Sequence, residues 1–295
     1  MRKLICLSSL ILALSVSTQA NTGLTFLTFS SLPRGNALGE AFTAVSGDLT
    51  AAGYNPAGLA GMTQFQFAFM HKAWVQDVYL NYGAFAFPYR NSLFHWSLTL
   101  STAPEIELRD SPTTEPLGIF DANDVALSFG WAKKIRSLDV GLTGKWLYEK
   151  IYTYSASGWG VDLGAQYGYR DFRFGASILN LGPAMKFRQE DFSLPTLYRL
   201  GASYLLPEHY FDGNWLLLAD LVKPKGFDPY VNLGMEYSYE KRFFARLGYK
   251  GGEANQSDFA FGLGVRYKKY TVDYSYIPFK LNLGNSHQIA FILSW

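Results

Sequence analysis

The run Trp159-Gly-Val-Asp-Leu-Gly-Ala-Gln-Tyr-Gly-Tyr169 alternates large apolar residues with small or polar ones. Successive side chains of a strand point to opposite faces, so Trp159, Val161, Leu163, Ala165, Tyr167 and Tyr169 fall on one side of an extended chain. Gly160, Asp162, Gly164, Gln166 and Gly168 fall on the other. The same split recurs in Val125, Leu127, Phe129 and Trp131 against Ala126, Ser128 and Gly130. It returns in Phe259, Phe261, Leu263, Val265 and Tyr267 against Ala260, Gly262, Gly264 and Arg266, and in Leu138, Val140 and Leu142 against Asp139, Gly141 and Thr143.

Such a strand fits a soluble sandwich with its apolar face in a core, or a membrane barrel with that face toward lipid. Three features favour the barrel. The runs are mostly about 9 to 11 residues, the length a tilted strand needs to cross a bilayer. Tight connections (89–92, 134–137, 169–171, 239–242, 267–270) alternate with long ones (102–122, 150–157, 181–195, 250–257, 278–286), which separates a short-turn rim from a long-loop rim. The chain also ends in Gln288-Ile-Ala-Phe-Ile-Leu-Ser-Trp295, an alternating strand closed by an aromatic residue. The expected strands are 65–74, 78–88, 93–101, 123–133, 137–149, 157–168, 172–180, 196–206, 214–222, 229–239, 242–250, 257–267, 270–278 and 286–295. The fold class is therefore an all-β transmembrane barrel of about 14 antiparallel strands. An even count puts both chain ends at the short-turn rim, expected to be periplasmic.

The composition agrees: 17% of residues are aromatic, with 23 Phe, 20 Tyr and 7 Trp, an enrichment that suits strands and bilayer interfaces. Residues 1–20 read as a secretory signal peptide, with Arg2 and Lys3, an apolar run over 4–16, and Ser17-Thr-Gln-Ala20 at the cleavage site. The single cysteine, Cys6, lies within it, so the expected mature chain has no thiol. Removal of Arg2 and Lys3 leaves 24 basic against 24 acidic residues, and that balance gives no reason to expect nucleic acid as a partner. His71, His95, His209 and His287 are not spaced as metal ligands. His95 and Ser97 share one strand face, but no acidic orienter stands near them in sequence, so neither catalysis nor a cofactor is expected.

Residues 32–62 break the alternation. This Gly/Ala-rich stretch is expected to form a slim luminal plug, giving a plug over 21–64 and a barrel over 65–295. Its Asn55-Pro56-Ala57-Gly58 element suits a capped helical turn, Asn as the cap and Pro in the first position. Plug or gate residues are Arg34, Gly39, Glu40, Asp48, Asn55, Pro56, Ala57 and Gly58. Charges on inward strand faces are Asp139, Lys145, Asp162, Arg199, Asp220, Glu236, Arg246, Arg266 and Asp273, because charge on the lipid face would cost several kcal/mol. The buried plug charges Arg34, Glu40 and Asp48 then require partners among them.

Phe26-Leu27, Arg34, Leu38-Gly-Glu-Ala-Phe-Thr-Ala-Val45, Asp48 and Asn55-Pro-Ala-Gly-Leu-Ala60 resemble the N-terminal signature of the PorV/PorQ and UPF0164 group within the FadL superfamily of outer-membrane barrels. The likeness continues through Asn180-Leu-Gly182, Leu218-Ala-Asp-Leu-Val-Lys-Pro224, Val231-Asn-Leu-Gly-Met-Glu-Tyr237 and Asp273-Tyr-Ser-Tyr276. The resemblance implies an outer-membrane location, in contact with lipid, and two functions: passage of a small hydrophobic compound with the plug as gate, or a PorV-like role in type IX secretion with envelope or secretion proteins as partners.

Overall fold

The structure, a computed structural model, describes residues 22–29, 31–109, 111, 112, 114–206, 213–252, 258–280 and 284–295. The expected signal peptide and His209 lie outside them. The described residues form sixteen strands: β1 Gln66–Ala73, β2 Tyr79–Tyr89, β3 Ser92–Leu108, β4 Gly118–Ile135, β5 Leu138–Ile151, β6 Tyr154–Tyr169, β7 Phe172–Leu181, β8 Met185–Phe187, β9 Glu190–Phe192, β10 Leu197–Leu206, β11 Asn214–Pro224, β12 Tyr230–Tyr239, β13 Phe243–Lys250, β14 Phe259–Tyr267, β15 Tyr270–Pro278 and β16 Asn285–Ser294.

Fourteen of these close a barrel in which each strand pairs antiparallel with its neighbour in sequence, β7 with β10, and β16 with β1. Closure leaves no unpaired sheet edge around the wall, which a strand structure in lipid requires. The alternation becomes an inside and an outside: Phe259, Phe261, Leu263 and Val265 of β14 are exposed outward while Ala260, Gly262 and Gly264 are buried. No helix among the described residues is long and apolar enough to cross a membrane.

Every expected strand is present, but three connections differ from expectation. The stretch 102–122, read as a long loop, is mostly sheet: β3 and β4 run to 17 and 18 residues and pair through Leu108↔Gly118. Pro104 and Glu105 read as a strand end, yet the ladder passes them with a register shift between Ala103 and Ile106, and Glu105 takes φ 55. A bulge leaves a residue unpaired, and so tolerates the N–H that proline lacks. Likewise 150–157 contracts to a tight turn, since β5 and β6 pair out to Ile151↔Tyr154. The long connection 181–195 carries the β8–β9 hairpin.

The expectation that both chain ends share the short-turn rim is also corrected. The first and last barrel strands do end together, where Phe65 and Trp295 exchange backbone hydrogen bonds. The chain before Phe65 instead runs through the lumen, and Thr22 bridges to Ser193 in the connection at the opposite, long-loop rim. Strand parity governs only the barrel's own ends.

Candidate functional site

Residues 22–64 form a string of short turns: three 3-10 turns (Thr25–Thr28, Leu49–Gly53, Pro56–Gly61) and one α-turn, Pro33–Ala37. Nearly all of their residues from 32 to 45 and from 49 to 59 are buried. The wall makes room with small inward residues. Gly248 stands where a Cβ would meet the backbone of Ala37, Leu38 and Gly39, and Gly39 itself takes φ 62 against the Tyr249 backbone, so both positions demand glycine. The Asn55-Pro56 reading is met in detail: Asn55 Oδ1 accepts from Ala57 N–H at 3.1 Å with Pro56 leading the turn.

Two buried charge clusters fasten this segment to the wall of β10–β15. In the first, Arg34 donates to Asp48 at 2.5 Å within the segment and to Glu236 of β12 at 2.7 and 2.9 Å. Arg246 then bridges Glu236 and Asp273, at 2.6 Å each. In the second, Asp220 of β11 accepts from the backbone N–H groups of Phe42 (3.1 Å) and Thr43 (3.0 Å), from the Thr43 hydroxyl (2.5 Å) and from Arg199 (3.0 Å). Arg199 also donates to the Glu40 carbonyl, and the Glu40 carboxylate pairs with Lys250 at 3.0 Å. Burial pulls the Arg34 guanidinium down, but Glu236 and Asp48 outweigh it and hold Arg34 above its usual value. Burial likewise pushes Asp48 up, and Arg34 with the Thr50 hydrogen bonds brings it net below the carboxylate range.

Uncharged groups complete the seam. Asn55 Nδ2 donates to the carbonyls of Thr43 (2.9 Å), Ala165 (3.1 Å) and Ala176 (3.3 Å), and Gln166 Nε2 donates to those of Thr43 and Val45 at 2.9 Å each. Toward β1–β3 and β16 the contact is apolar: Leu32, Leu49, Leu59 and Met62 pack on Met70, Tyr82, Ala84, Leu93 and Ile292.

Of the nine inward charges named from sequence, Arg199, Asp220 and Glu236 touch the segment, and Arg246 and Asp273 reach it through Glu236. Asp139 pairs with Arg173 (2.8 Å) and Lys145 with Asp162 (2.8 Å), wall to wall. Arg266 lies on the inward parity of β14 but is exposed beside the turn to β15, bonded to Thr271 at 3.2 Å. Lys250, Gln166, Arg173 and Lys72 were not singled out. Lys72 is buried over the rings of Trp74 (4.2 Å) and Phe29 (4.9 Å). Strand parity was the signal available for Lys72 and Lys250, and the aliphatic length of lysine hid it.

Above the segment on the β2–β6 side lies a cavity of about 50 Å³, walled by Phe26 and Phe29 on one side and by Tyr82, His95, Ser97, Thr143 and Lys145 on the other. His95 Nδ1 and Thr143 Oγ1 are buried there without hydrogen-bond partners. Among the described residues no group of His, Cys, Asp and Glu could hold a metal ion.

A closed meander of 14 strands, apolar outside and polar inside, with a short-turn rim, defines a transmembrane barrel of the outer-membrane type. Residues 122–293 match the family described as type IX secretion system membrane protein PorP/SprF, and the chain belongs to that family. Residues 15–160 also match the uncharacterised protein family UPF0164. Among solved structures, the fold is shared with the toluene transporter TodX of P. putida (TM-score 0.61, 12% identity, 90% of this chain and 97% of that one). It is shared too with the monoaromatic hydrocarbon channel CymD (TM-score 0.58, 12% identity, 92% and 97%). No match to a curated protein was found. The UPF0164 match meets the resemblance to that group read from the sequence, and the shared fold meets the expected 14-stranded barrel.

Proposed function

We propose that this barrel is an outer-membrane component of a type IX secretion apparatus, that residues 22–64 keep its lumen closed, and that it binds partner proteins on the extended β3–β6 hairpins. The observation that carries this reading is the unequal wall. The strands β3–β6 have 14 to 18 residues, whereas the other barrel strands have 8 to 11. Beyond the Tyr79↔Thr102 pair, β3 continues for roughly 20 Å of strand. This projection is rigid sheet rather than loop, and it exposes Leu117 (63%), Ile119 (65%), Tyr152 and Tyr154, apolar groups at a site suited to a protein partner. The long-loop rim then faces outward and the short turns face the periplasm. The test replaces residues 104–121 by Asn-Gly, which closes the Ala103↔Ala122 pair with a two-residue turn. The variant should still fold in the membrane and lose the envelope proteins that co-purify with the full chain; an unchanged set of partners would refute the assignment.

A second reading, passage of a small hydrophobic compound with the segment as gate, is favoured by the barrel fold shared with the hydrocarbon channels TodX and CymD. Uptake of a fluorescent fatty acid or aromatic solute that does not change on gene deletion would exclude it.

A further inference from the structure

The short-turn rim is basic in a way the fold does not require. Its described turns place Arg90, Arg136, Arg170, Lys241 and Lys268 in the left-handed backbone region, with φ between 50 and 60°, beside a single acidic residue there, Glu240. Glycine or asparagine takes that conformation at less cost than a long side chain. At the other rim the same region holds Gln76, Asp77, Glu105, Tyr152, Asn180 and the glycines 226, 252 and 284, with Arg188 of the β8–β9 hairpin the one cation among the described residues.

All five rim residues are exposed. Three of them cover a tyrosine at a strand end, Arg90 over Tyr89, Arg170 over Tyr169 and Lys268 over Tyr267, each at 5.4 Å, and the neighbouring Lys269 covers Tyr270 at 5.6 Å. A tyrosine with a basic residue just beyond it is the arrangement that sits at the level of lipid headgroups. Lys134, Arg242 and Lys269 add charge, while Asp171 and Glu240 are the acidic residues of these turns; Glu240 pairs with Arg242 at 3.4 Å.

We propose that this rim is a binding collar for anionic phospholipid headgroups. A protein partner would dock on one side, whereas the cations are spread over every described turn around the circumference, as an occupant surrounding the barrel requires. Cationic side chains at a membrane surface attract acidic lipid in proportion to their number.

The full chain is folded into vesicles of mixed phosphatidylglycerol and phosphatidylcholine, extracted, and the retained lipids are counted by native mass spectrometry. The comparison is a variant carrying Arg90→Gly, Arg136→Gly, Arg170→Gly and Lys268→Gly. Glycine relieves these backbone positions, so the variant should fold at least as well, judged by heat-modifiable migration on a gel. The wild type should prefer phosphatidylglycerol, and the variant should lose that preference by about tenfold or more. Equal preference in both proteins overturns the collar. Displacement of phosphatidylglycerol by equimolar inorganic phosphate, or retention of an acidic polypeptide in place of lipid, overturns the assignment to a lipid.

Discussion

At the scale of single residues, Asp220 and Arg34 are the two fastenings of the luminal segment. Replacement of Asp220 by Asn would leave Arg199 buried without its counter-charge and weaken a carboxylate that accepts four hydrogen bonds. Removing one partner of a buried pair costs about 3–5 kcal/mol. Asp220→Asn should therefore lower the urea midpoint of the folded barrel and make residues 32–62 open to protease. Asp48 adds a pH dependence. Its folded-state value lies below its unfolded one, so its contribution is present at neutral pH and is lost as pH falls through the depressed value. Protease cleavage within the segment should rise in acid, and Asp48→Asn should remove part of that rise. The sequence demanded partners for Arg34, Glu40 and Asp48 among the nine wall charges, but only Arg34 finds one there, Glu236; Glu40 pairs with Lys250 and Asp48 with Arg34 inside the segment. The identity of the partners was not legible, because strand parity tells which wall charges point inward but not at what height they stand.

At the scale of elements, the fit of segment to wall depends on inward glycine. A Cβ at Gly141 would meet the Pro56 carbonyl and the Ala57 nitrogen, so Gly141→Val must push the Pro56–Gly61 turn off β5. Residues 65–295 should still form a heat-modifiable barrel, with the cost appearing as protease sensitivity of the segment. A variant as resistant as the wild type would show that the segment does not pack there. The strands were legible because alternation is a local property, and each of the 14 expected runs overlaps a barrel strand. The extension of β3 and β4 was hidden because Pro104 and Glu105 look locally like a strand end. Only the partner strand shows that the ladder resumes at Ile106↔Phe120.

For the whole molecule, the polar seam to β6–β15 and the apolar contact with β1–β3 and β16 are the contacts by which we propose that residues 22–64 close the lumen between the Phe65–Trp295 end and the Thr22–Ser193 bridge. The course of this segment was illegible in the sequence, since a Gly/Ala-rich stretch without periodicity can run in either direction through a barrel. Closure of the lumen by residues 22–64 is the central claim, and single-channel recording in a planar bilayer tests it most directly. The full chain should give no stable open channel, and a chain lacking residues 32–62 should conduct in discrete steps. Steps of the same size from both proteins would show that the segment does not close the barrel.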